Sequence, residues 1–116
     1  MDFLRENNID VDSGIEILGD IEMYDETIED FILEMEDRLP NIEKCKENGD
    51  MENYAILVHA LKGDSKYLGF TKLADLAYEH QIKAQENDIN FVNKHYDELM
   101  NEIDRIMSVI NEYRSM

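Results

Sequence analysis

Four residues near the middle of the chain, His59, Lys62, Gly63 and Lys66, have the types and the spacing to handle a phosphoryl group. On a helix they fall at i, i+3, i+4 and i+7, so they share one stripe of surface. An imidazole there is flanked by two ammonium groups, and the glycine one turn on leaves no side chain beside it. Free imidazole titrates near ~6.5, so at neutral pH a nitrogen lone pair is available as a nucleophile without help from a base. Phosphoryl transfer depends mainly on positioning and charge neutralisation, and lysine supplies the second as a point charge. The set therefore suits an imidazole that carries a phosphoryl group in the open. Singly, each member has a plainer explanation: a surface histidine on a bundle, or lysines on a solvated face.

The neighbouring residues extend the pattern. His59, Leu61, Lys62, Gly63, Ser65, Leu68 and Gly69 lie within eleven residues. In that order the segment resembles the signature His-x-Leu-Lys-Gly-x-Ser-x-x-Leu-Gly of the histidine-containing phosphotransfer (HPt) domain of two-component phosphorelays. The likeness continues more loosely through Leu73, Leu76 and Gln81, and upstream through an acidic amphipathic helix. The resemblance implies that His59 takes a phosphoryl group from the aspartate of a receiver domain and later gives it to another receiver. Lys62 would hold the phosphoryl oxygens, and Gln81 stands where several members carry a glutamine that contacts the phosphoryl group. Gly63, Lys66 and Ser65 would support the site, Gly63 by letting a partner's loops approach, while Ser65 is expected within the helix seam. The implied partners are response-regulator receiver domains and a hybrid sensor histidine kinase. No cofactor is expected on this chain, and Mg²⁺ is expected on the receiver. Asp64 departs from the family, which more often has a small residue there; turned inward, it would weaken phosphate binding. The rival is a helical adaptor that binds receivers or other partners without being phosphorylated.

Composition agrees with the class. The 116 residues fit one domain spanning 1–116. Five glycines and one proline in a chain rich in Glu, Lys, Leu, Ile and Met favour an all-α fold. A formal charge of −17 argues against nucleic acid or an anionic membrane as a partner. That charge is unevenly spread: residues 55–85 carry a local +1, which leaves −18 for the rest. The lone Cys45 excludes an internal disulfide, and the sequence contains neither an apolar leader nor a run of about 18 apolar residues, so a monomeric cytoplasmic protein is expected. There is no glycine-rich nucleotide loop, so the domain should be a carrier with no kinase activity of its own. Asn8 to Gly19 fails as a calcium loop, since Ser13 stands where glycine is required and Gly19 where a bidentate glutamate is required. Ile56, Ala77 and Val92 stand three before His59, His80 and His95, so the Glu-x-x-His motif of di-metal bundles is absent. His80 and His95 are assigned to the surface or to satisfied packing.

The elements that must position these groups can be read from apolar spacing. Ile21, Tyr24, Ile28, Phe31, Ile32, Met35 and Leu39 recur at steps of three and four after an Asp20 N-cap. The pattern resumes beyond Pro40 to Gly49, which predicts a kinked helix or two abutting ones. Met51 to Leu68 forms the next seam, with His59 about 100° around from Val58 and hence facing outward. Gly69 and Phe70 turn the chain into a helix bearing Leu73, Leu76, Ala77 and Ala84. Equal distances from that turn bring Gln81 to the level of His59. Ile89 to Tyr113 alternates the same steps without a fault. The prediction is an antiparallel up-down-up-down four-helix bundle with a short N-terminal helical addition, whose first nineteen residues carry only a weak pattern.

Overall fold

The computed structural model describes residues 2–116, and every regular element within them is helical. Two short helices, α1 (Asp2–Glu6) and α2 (Val11–Leu18), precede four long ones: α3 (Ile21–Asn48), α4 (Met51–Leu68), α5 (Thr71–Gln85) and α6 (Ile89–Arg114). Aspartate starts most of them. The carboxylates of Asp10, Asp20, Asp50 and Asp88 accept from the backbone N–H groups of Ser13, Met23, Asn53 and Phe91, which relieves one orphan donor at each N-terminus. Gly49 and Gly69 end α3 and α4 in the left-handed region, at φ 66° and 79°. The connections are too short for anything but antiparallel neighbours, and α6 closes back on α3 to complete the bundle.

Around Pro40 the chain keeps one continuous helix of 28 residues. Pro40 is exposed, so water can serve the carbonyl that loses its donor. The core is assembled from the predicted stripes. Tyr24, Ile28, Phe31 and Met35 of α3 meet Tyr54, Val58, Leu61 and Leu68 of α4, with Leu73 and Ala77 of α5 and Leu99, Ile103 and Ile106 of α6. Phe70, at the N-cap of α5, makes no side-chain cap; it is buried edge-on against Phe31, with centroids 5.3 Å apart. Packing thus takes the place of capping at this end of the hairpin.

The weakly patterned N-terminus is held by tertiary bonds. Asp10 N–H donates to the carbonyl of Gly69 at 2.9 Å, and Arg105 of α6 donates to the carbonyl of Asn7 at 2.7 Å. Arg105 is itself gripped at two points, both 2.8 Å, by the buried Glu102. A Cβ on Gly69 would overlap the backbone of Asp10, so this glycine serves close approach as well as its positive φ. Among the described residues, no helix is long and apolar enough to cross a membrane.

Candidate functional site

The site is built on the α4–α5 hairpin. His59 is solvent-exposed on α4, and its Nδ1 lies 3.1 Å from Oε1 of Gln81 on α5. With the amide oxygen facing the ring, Nδ1–H is the donor, and the proton it carries leaves Nε2 as the free lone pair. Gln81 is only 9% exposed, so its carboxamide is held by packing while the imidazole it steadies stands in water. One turn toward the hairpin connection, the ammonium of Lys62 sits over the ring of Tyr78, 5.1 Å from its centroid. The two pairs are rungs of one ladder: three residues forward on α4 and three back on α5, as antiparallel neighbours require.

The surfaces on either side of these rungs differ. Toward the N-terminus of α4 lies an open groove of about 610 Å³, lined by His59, Gln81, Met51, Ala55, Ile56 and Ala84 among others. Ile56 is 62% exposed at its edge. Toward the connection, apart from its own helix backbone and chain neighbours nothing lies within 4 Å of where a Cβ on Gly63 would be, so the helix surface there is bare. Lys66 lies farther along, about two turns from His59, beside Asp10, Ser13, Thr71 and Asp75 in a small pocket. The stripe therefore separates into Lys62 beside the imidazole and Lys66 at the far end of the hairpin.

Other expected members fall elsewhere. Ser65 is sealed in the seam, where its Oγ has no hydrogen-bond partner, so it faces away from the His59 surface. The resemblance implies that Gln81 contacts a phosphoryl group; in the structure its Oε1 is engaged on the imidazole, which leaves its amide N–H groups for such a contact. Asp64 points neither at His59 nor at Lys62. It pairs with Arg38 of α3 at 2.9 Å, and Arg38 also holds Glu34 at 3.1 Å. Burial, and then the Asp64 carboxylate, raises the pKa of Glu34. Arg38 escaped the sequence reading, although its place four residues after Glu34 on the edge of the α3 stripe was the available signal.

His80, next to Gln81 in sequence, points the other way. It is 1% exposed, with Nε2–H donating to the carbonyl of His95 at 3.2 Å and Nδ1 accepting from Tyr54 Oη at 2.8 Å. A carbonyl can only accept, which fixes the tautomer. Burial pushes its pKa down. His95 is half-buried and stacked on Phe91, with centroids 4.4 Å apart. Among the described residues no three His, Cys, Asp or Glu side chains converge as a metal-ligand set.

Comparison with known proteins identifies the family. The Hpt domain family matches residues 26–108, a span that contains the whole hairpin. The phosphorelay intermediate protein rdeA of Dictyostelium discoideum is 20% identical over 96 residues, which cover 83% of this chain. The chain spans 38% of that relative's own length. No solved structure matches significantly. A family match over most of the chain, residues 26–108, makes this protein a member of the Hpt domain family.

Proposed function

We propose that the protein is a phosphorelay intermediary that accepts a phosphoryl group on His59 and passes it on. The observation that carries this is the His59–Gln81 bond. With Oε1 of Gln81 accepting from Nδ1–H, Nε2 of this exposed residue is left without a protein partner, which supports its use as the nucleophile. The description of the rdeA relative as a phosphorelay intermediate supports the same reading.

The donor is the phosphoaspartate of a response-regulator receiver domain, a hybrid sensor histidine kinase being one source of such a domain. Nε2 forms a bond to phosphorus as the P–O bond to the aspartate breaks, and the aspartate leaves as a carboxylate. The imidazole keeps its Nδ1 proton and becomes cationic, and Gln81 Oε1 accepts from that N–H more strongly as the charge builds. Lys62 supplies positive charge to the phosphoryl oxygens from one turn away. Mg²⁺ and the acidic pocket come with the receiver, so this chain needs no cofactor. Reversal onto a second receiver's aspartate completes the relay. The bare surface at Gly63 admits the partner's loops, and the apolar groove beside His59 offers them buried area. Such a carrier acts as a cytoplasmic monomer between receivers.

The adaptor alternative loses its main support, because Asp64 is paired with Arg38 and turned toward α3. A phosphorylated receiver with Mg²⁺ is expected to label the protein with acid-labile, base-stable phosphate, and His59→Gln is expected to remain unlabelled. Equal labelling of the two proteins would refute the assignment; receiver binding with no phosphate ever on the histidine would select the adaptor.

A further inference from the structure

The second rung of the ladder carries a residue with no assigned part. Lys62 has a long side chain free to sweep a wide arc, yet its ammonium rests over the Tyr78 ring. Among the described residues no carboxylate pairs with it. That difference matters chemically. A carboxylate would hold the ammonium and cancel its charge, whereas the negative face of an aromatic ring attracts the cation and leaves the net charge available to an incoming dianion. The other two aromatic-held lysines differ in setting. Lys83, near Phe91, also pairs with Glu86 at 3.7 Å, and Lys46 lies over Tyr96 on the α3–α6 side of the bundle. Tyr78 is half exposed, so its ring is a surface shelf beside the site and not a core residue.

We propose that Tyr78 is a positioning residue of the phosphoryl site, its ring holding the Lys62 ammonium on the His59 side of the hairpin with its charge unspent. This rests on His59 being the phosphoacceptor. The register explains why Tyr78 serves: Gln81 fixes the imidazole, and the position three residues before it on α5 meets the position three after His59 on α4. The hydroxyl takes no part, so phenylalanine should substitute.

The test uses the full chain with Tyr78→Phe and Tyr78→Leu, each checked for unchanged thermal unfolding. In the parent and in Tyr78→Phe, the ε-methylene protons of Lys62 should be shifted upfield by the ring current; in Tyr78→Leu they should return to the ordinary lysine position. Potassium phosphoramidate then serves as donor without a protein partner, the Nε2–P bond forming as the P–N bond breaks and ammonia leaves. Tyr78→Phe should be labelled within about twofold of the parent rate and Tyr78→Leu about two- to fivefold more slowly, the range expected of an exposed cation–ring contact. In a Lys62→Met background, Tyr78→Leu should change nothing further. Labelling of Tyr78→Leu at the parent rate, or an equal loss in Tyr78→Phe, would overturn the role of the ring while leaving His59 as acceptor. A parent that takes no phosphate on His59 would overturn the underlying assignment and this proposal with it.

Discussion

Two histidines on facing helices of one hairpin stand in opposite settings. His59 and His80 each have Nδ1 held by a neighbour across the α4–α5 seam, Gln81 in one case and Tyr54 in the other. Their second nitrogens decide the difference. Nε2 of His80 is spent on the carbonyl of His95 inside the protein, whereas His59 keeps one nitrogen free in water. The partners have opposite polarity as well: a phenol donates to Nδ1 of His80, and a carboxamide oxygen accepts from Nδ1 of His59. One unpartnered nitrogen on an exposed ring sets His59 apart from His80, whose ring is buried with both nitrogens satisfied.

The largest test of this contrast replaces each ring by a methyl group. His59→Ala should remove all transferable phosphate and move the unfolding free energy by no more than about 0.5 kcal/mol. His80→Ala should cost about 3 kcal/mol, from a cavity and an orphaned Tyr54 hydroxyl, while its folded fraction still accepts phosphate. Urea unfolding beside phosphate labelling reads both. Next in size, Lys62→Ala should slow labelling about tenfold, the scale of a lost charge-assisted contact, with an unchanged melting curve. Removing the Nδ1 partners sharpens the pairing further. Gln81→Leu should slow labelling about fivefold and Tyr54→Phe should lower stability by about 1 kcal/mol, and neither should produce the other's effect.

The smallest effect concerns pH. Burial depresses the pKa of His80 below its ordinary 6.5, so the unfolded chain binds that proton first. Stability from this group is intact above about pH 6.5 and is lost as pH falls from there through the depressed folded value. A stability profile between pH 7 and 5 should show this decline in the parent and lack it in His80→Gln.

The bundle and the level of His59 with Gln81 were legible in the sequence for the same reason: both are local. Steps of three and four mark each buried stripe, Gly49 and Gly69 mark the breaks, and residues equidistant from a tight turn must meet across it. What depends on distant neighbours was not legible. Asp64 reads as a threat to the site until Arg38, 26 residues earlier, is found holding it. The two N-terminal helices are too short to show a repeating stripe; Leu4, Ile9 and Val11 anchor them singly, helped by bonds from Arg105 to the Asn7 carbonyl and from the Asp10 amide to Gly69. Ser65 is legible in the seam, since its step continues the stripe. The second face of α6, where Glu102 is buried behind Arg105, could not be foreseen while the residues that cover it looked irregular.

Gly69 ties these strands of the molecule to one another. Because any side chain there would collide with Asp10, a substitution aimed at the phosphotransfer motif would be felt first at the amino terminus. Gly69→Ala should loosen Leu4, Ile9 and Val11 from their sockets, seen as faster amide exchange in that segment, before it disturbs the imidazole ten residues away. The last letter of the motif thus belongs to carpentry: it is the mortise into which the front of the chain is set.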